Sequence, residues 1–362
     1  MKPGERLLAL CGLLMLLGSC ATPEQAPLSA PVSLDEVQLN VASRPPVLPL
    51  AVSIARFDAA PAETVGLRSA VNQVRSVERR FLPYQLKLSL ERSGWFGPVR
   101  VLPVLDPGAE LTVRGVILSS DGTHLALAIQ VEDATGKVWL ERDYLDSATV
   151  ADYARDPVFT IDPFQGLYDQ IANDMIRVLA DLDEQQIRQI ASIAEMRYAA
   201  MLSPEYFGRF LNETDGRYGL SGLPAASDPL MERVMRIRAS EHLFADSADA
   251  HYESLYRRLG PTYAWWRHYS NELISGNNRL EQIDATRGAT PGTWYALERV
   301  YKTYQESRMN EDALRELTDS FDRETAPTVT DLAGRVVELT GTLTEQHQAW
   351  RQLMRQYYEE TR

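Results

Sequence analysis

Glu110-Leu111-Thr112-Val113-Arg114-Gly115-Val116-Ile117-Leu118, His124-Leu125-Ala126-Leu127-Ala128-Ile129-Gln130-Val131-Glu132 and Val138-Trp139-Leu140-Glu141-Arg142-Asp143-Tyr144 follow one another with only short breaks. Each run mixes β-branched and apolar residues with polar ones at a period near two, the pattern of a strand with one buried face. The breaks are Ser120-Asp121-Gly122-Thr123 and Asp133-Ala134-Thr135-Gly136. Aspartate accepts from backbone amides two residues on, and glycine takes positive φ without a Cβ clash, so both breaks read as hairpin turns. The stretch therefore predicts an antiparallel meander.

Toward the amino end, Val47 to Phe57 is a strongly apolar candidate strand. A helix is expected between Val65 and Arg92, firmest from Leu82 to Leu90, with Pro83 marking a break or a first-turn position. Gly94 ends it, and Gly97 to Leu102 reads as the next strand. The resulting order is β-α-β followed by the three strands of the meander, which assigns residues 47–150 to a small α/β sheet domain.

Two segments in this domain carry a resemblance. Leu86-Lys87-Leu88-Ser89-Leu90-Glu91-Arg92-Ser93-Gly94-Trp95-Phe96 is a helix end running into a short strand, and Asp106-Pro107-Gly108-Ala109-Glu110-Leu111-Thr112-Val113-Arg114-Gly115-Val116-Ile117 is a strand start. Together they resemble the α/β domain shared by the curli-export lipoprotein, the lipoprotein activators of penicillin-binding proteins and the amino-terminal domain of the Tol-system propeller protein. The resemblance implies a protein-binding surface. Its motifs are structural, and the long carboxy-terminal region departs from it, so no pore function is carried over.

That region, residues 163–362, is expected to be an all-helical domain with long first and last helices, making the chain α+β. Phe164, Leu167, Ile171, Met175, Val178 and Leu182 step by three and four, and Ile187, Ile190 and Ile193 continue toward Leu202. Residues 208–227 read as a loop. Helices are expected at 229–245, 248–259, 261–275, 291–308 and 310–323. From 329 to 360, Leu332, Val336, Leu339, Leu343, His347, Trp350, Met354 and Tyr357 form a heptad seam, suited to docking on the 164–202 helix or to pairing with another chain. Trp294, Leu297 and Tyr301 suggest a tetratricopeptide start, but no second copy follows.

The amino end has the grammar of an export signal. Lys2 and Arg6 precede an apolar run from Leu7 to Leu17, which ends at Leu17-Gly18-Ser19-Cys20 and is too short for an ordinary membrane span. It resembles a bacterial lipoprotein signal. The resemblance implies removal of residues 1–19, acylation of Cys20 and anchoring rather than spanning, and Ala21 in the next position implies sorting to the outer membrane. Residues 20–46 read as a proline-rich tether. With Cys11 lost and Cys20 acylated, no disulfide is expected.

The formal charge is −13, from 37 Lys+Arg against 50 Asp+Glu, which opposes nucleic-acid and anionic-surface binding. Tyr263, Trp265, Trp266 and Tyr269 form the densest aromatic cluster, either a partner or glycan surface or two buried helix faces. Neither a His-x-x-x-His pair nor a nucleotide-binding glycine loop occurs, and no metal or cofactor is expected. These features point to a periplasm-facing outer-membrane lipoprotein, non-catalytic, serving an envelope machine. The alternatives are a peptidoglycan-acting enzyme with Glu253 as general acid and a structural subunit of an oligomeric complex.

Overall fold

A computed structural model describes residues 37–60, 68–106, 108–155, 162–287, 328–332 and 335–360. The leader, Cys20, the first part of the tether, Trp294, Leu297, Tyr301 and the helices expected at 291–308 and 310–323 lie outside the described residues. The architecture is α+β.

The meander forms as its turns dictate. Strands β4 (Leu111–Ser120), β5 (His124–Asp133) and β6 (Val138–Ser147) pair antiparallel. At the first turn Asp121 Oδ1 accepts from the Thr123 and His124 amides at 2.8 Å, and Gly122 sits at φ +88. At the second, Asp133 Oδ1 accepts from the Thr135 amide at 2.8 Å, and Gly136 sits at φ +79. Strand β1 (Val52–Ala55) lies parallel to both β4 and β3 (Val99–Leu102). The sheet order is β3-β1-β4-β5-β6, with the short β2 (Asp58–Ala59) beside β4.

Helix α1 (Arg68–Ser93) crosses one face of this sheet and runs unbroken through Pro83. Proline lacks the N–H that would bond the carbonyl four residues back. Here that carbonyl, Arg79 O, accepts instead from the Phe57 amide at 2.9 Å, so the proline leaves no orphan. Phe81, Leu82, Leu86 and Leu90 of α1 pack with Ile54, Leu111, Val113, Ile117 and Leu127 of the sheet, all buried. Each such side chain contributes about 1.5–3 kcal/mol.

Beyond the short α2 (Val150–Arg155), the expected single helix over 164–202 is two. Helix α3 (Gln165–Ala180) lies beside α1 and belongs to the sheet core, whereas α4 (Glu184–Leu202) starts afresh at a capping box. Asp183 accepts from the Gln186 amide at 2.8 Å, and Gln186 Oε1 accepts from the Asp183 amide at 2.9 Å.

After α5 (Pro204–Phe207), the loop expected at 208–227 contains a hairpin, β7 (Leu211–Thr214) and β8 (Arg217–Leu220), turning at Asp215-Gly216 with φ +50 and +74. The helices expected at 229–245, 248–259 and 261–275 are one, α6 (Pro229–Arg287), 59 residues and about 88 Å long. The expected last helix is also shorter. Its first part is the hairpin β9 (Thr328–Leu332) and β10 (Arg335–Leu339), and α7 (Leu343–Glu360) begins at a second capping box between Thr342 and Glu345. The carboxy-terminal region is thus not purely helical: Val329, Thr330, Val336 and Val337 are β-branched, and they pair as strands.

The heptad seam survives only in α7. Trp350, Met354 and Tyr358 are buried within the chain, in a second core with Met196 and Leu202 of α4 and Val234 and Phe244 of α6. Nor is the tether wholly free. Asn40 N donates to Asn173 Oδ1 and Asn173 Nδ2 to Gln38 O, both at 2.8 Å, while Ala42 N donates to Ser93 O at 2.7 Å. Residues 38–42 therefore lie against α3 and the end of α1, where the Asn173 side chain and the Ser93 carbonyl satisfy their backbone.

Candidate functional site

Helix α6 positions the polar chemistry of the molecule. Arg238 Nη2 donates to Gly108 O, Arg100 Nε to Asp246 Oδ1 at 2.6 Å, and Lys87 Nζ pairs with Asp249. Asp249 also accepts from Val101 N at 3.0 Å. A carboxylate on the helix thereby occupies an amide of edge strand β3.

Between α6, α7 and the amino ends of β1 and β4 lies a cleft of about 230 Å³, lined by Asp106, Glu110, Arg238, Glu241, His242 and His347 among others. Glu110 Oε2 accepts from Ala51 N at 3.0 Å. Burial pushes the Glu110 carboxyl up, against the pull of Arg238. Burial and then Asp106 push the Glu241 carboxyl up, opposed by Tyr198, Arg351 and Arg238. Burial, followed by Arg238 and Arg100, holds His242 below the usual imidazole range. His347, 3 % exposed, is pushed down to about 4 by burial and then by Arg351. Both imidazoles are therefore uncharged at neutral pH.

The ion pairs here are long, 3.8 Å for Arg238–Asp106 and 3.8 Å for Arg351–Glu241. His347 Nδ1 has no partner among the described residues. Arg238 is held by Gly108 O and Arg351 by Leu105 O at 3.1 Å, so backbone carbonyls fix the two cations while their carboxylates stay loosely paired, the arrangement of a polar binding cleft. None of it was assembled from the sequence, because the residues come from four separate segments. The one signal available was His347, a polar residue in an apolar seam.

The residues singled out in the sequence fare differently. Cys20 lies outside the described residues. Tyr263 is 1 % exposed, its ring 4.3 Å from Phe81 and its hydroxyl donating to Glu78 Oε1 at 2.8 Å, so it is a core residue rather than part of a partner or glycan surface. Trp265, Trp266 and Tyr269 lie on α6, and their side chains are outside the described residues. Glu253 pairs with exposed Arg257 on the same helix, beside a wide-open surface. An i,i+4 pair of this kind is an ordinary feature of a solvated helix face. Among the described residues no group of three or more His, Cys, Asp and Glu side chains is placed to hold a metal, and no helix is long and apolar enough to cross a membrane.

No protein-family model matches this chain, and no curated protein matches it. Among solved structures, the crystal structure of protein XCC0632 from Xanthomonas campestris, of family DUF330, aligns with 45 % of this chain and 99 % of that one. Identity is 12 % and the TM-score 0.22, and a superposition so loose bears on neither fold nor activity.

Proposed function

We propose that this chain is a lipid-anchored, periplasm-facing outer-membrane protein that acts without catalysis, as an interaction or assembly factor for a cell-envelope machine in cell-wall synthesis or secretion. The observation that carries the reading is the leader ending in Leu17-Gly18-Ser19-Cys20, followed by Ala21. The docked arm adds a physical consequence. With Asn40 and Ala42 bonded to the folded body, only about 16 residues separate Cys20 from the first described residue, Val37. Such a stretch spans at most about 55 Å even when fully extended. The anchor therefore holds the body close to the bilayer, nearer than a free tether to residue 46 would. The polar cleft under α6 gives a partner a recessed surface with donors and acceptors of both charges.

Cys20→Ala tests the anchor. Loss of palmitate incorporation and release of the protein to the soluble fraction are expected, and unchanged membrane association refutes the reading. Crosslinking in intact cells followed by mass spectrometry tests the role. Recovery of envelope-machine subunits supports it; turnover of purified cell-wall sacculi by the wild-type chain contradicts it.

A further inference from the structure

Three carboxylates, of Asp106, Glu110 and Glu241, and two guanidinium groups, of Arg100 and Arg238, line the polar cleft. Arg100 pairs with Asp246 at 2.6 Å, Arg238 with Asp106 at 3.8 Å, and Glu241 with Arg351 at 3.8 Å. Glu110 is left over: it has no ion pair among the described residues, and the hydrogen bond it accepts from Ala51 N brings no charge. Burial pushes its carboxyl up, against an attraction from Arg238 that acts from beyond ion-pair distance, and Asp106 adds to the push. The imidazoles of His242 and His347 are uncharged at neutral pH and do not supply the missing positive charge. A second observation points into the same space. His347, 3 % exposed, lines the cleft from α7 without a hydrogen bond to any described residue. Its Nδ1 is sealed, so Nε2 is the ring nitrogen left to meet a ligand.

We propose that the cleft binds a small organic amine as its ammonium ion, on an apolar body about the size of one ring. Charge sets the valence. One positive charge compensates Glu110, and a recessed carboxylate without a counter-charge is costly. The free oxygens set the group. Asp106 Oδ1 is taken by Gly108 N at 2.9 Å and Glu110 Oε2 by Ala51 N at 3.0 Å, which leaves one oxygen of each without a hydrogen bond. Single oxygens on separate side chains suit the diverging N–H groups of an ammonium, whereas a planar guanidinium meets both oxygens of one carboxylate. Val52, Leu102 and Phe244 supply apolar wall. A cavity of about 150 Å³ accommodates a benzene ring, so the cleft of about 230 Å³ takes a ring together with its ammonium group. This ligand rests on the cleft being a recessed binding surface, as proposed above, and is independent of the anchor.

Isothermal titration of the full chain at neutral pH with benzylamine, benzyl alcohol, benzoate and tetramethylammonium tests this. Benzylamine, protonated at this pH, is expected to bind with a dissociation constant of about 1 mM or tighter, and the other three at least about tenfold more weakly. Glu110→Gln removes the charge yet keeps an oxygen for the Ala51 amide, and is expected to weaken benzylamine at least about tenfold. Asp106→Asn likewise keeps an oxygen for the Gly108 amide, and is expected to weaken it at least about threefold. It decides the matter if the glutamine variant does not fold. Absence of benzylamine binding, binding unchanged in the folded variant, or any of the other three compounds binding as tightly as benzylamine each overturns the proposal. No lipid takes part in the titration, so its failure leaves the Cys20→Ala test of the anchor standing.

Discussion

The two cores of this molecule differ in how closely the carboxylates beside them are paired. Beside the sheet, Asp174 accepts from Tyr144 at 2.8 Å and Arg142 at 3.2 Å, and Asp169 accepts from Ser89 at 2.7 Å, Arg92 at 2.9 Å and Gln165 at 2.8 Å. In the second core, by contrast, His347 Nδ1 and Trp350 Nε1 have no partner among the described residues, and the Arg351–Glu241 pair is 3.8 Å long. Each unsatisfied group costs about 1–3 kcal/mol. Orphaned groups occur beside the sheet too, among them Asp146 Oδ2, Tyr168 Oη and Trp95 Nε1, so what separates the two regions is the length of their ion pairs, 2.9 and 3.2 Å beside the sheet and 3.8 Å next to the polar cleft.

The largest expected effect probes the second core directly. Trp350 is fully buried and stacks on Phe244 with ring centroids 4.9 Å apart. Trp350→Ala should cost about 3–5 kcal/mol in urea unfolding. A single shifted transition is expected, because α6 contributes to both cores; two separated transitions would show the cores to be independent.

Next comes a pH effect of opposite sign in the two regions. His347 has a folded pKa of about 4 against 6.5 unfolded, so the unfolded chain takes the proton first. Its contribution to stability is complete above about pH 6.5 and falls away toward pH 4, in all about 3 kcal/mol. Asp146, on strand β6 of the sheet, is pushed up from 3.8 to about 6 by burial. Here the folded chain takes the proton first, so stability rises as pH falls from about 6 to 3.8, by a similar amount. Measured as differences from wild type by denaturation across this range, His347→Leu and Asp146→Asn should therefore slope in opposite directions. Parallel slopes would erase the contrast between the regions.

Smaller effects refine the picture. Asp183→Ala removes the cap of α4, the helix that passes from one core to the other, and should cost about 1 kcal/mol by the same assay. Glu253→Gln breaks only a surface pair within α6 and should change stability by less than about 0.5 kcal/mol.

Legibility in the sequence divides along the same line. The meander was readable because Asp121, Gly122, Asp133 and Gly136 encode their turns locally. The second region was misread where distant contacts decide. Asp246-Ser247 falls between two expected helices, yet α6 runs on through it, where Arg100 holds Asp246. Pro261 likewise falls inside α6, between Tyr256 and Tyr263, which pack against α1 through Phe81. Two signals were present and overlooked: the Asp183 to Gln186 capping box, and Asp215-Gly216, a turn pair suited to positive φ. The cleft was not legible, since its residues meet only after α6 is laid across the sheet domain.

The central claim is that α6 seals edge strand β3 and so joins the two cores. The most direct test is site-resolved hydrogen exchange at the Val101 amide, which donates to Asp249 Oδ1 at 3.0 Å. Slow exchange is expected in the wild-type chain, with at least about a tenfold acceleration in Asp249→Ala, matching the loss of one charge-assisted hydrogen bond. Rapid exchange at Val101 in the wild type, or a rate unmoved by Asp249→Ala, would contradict it.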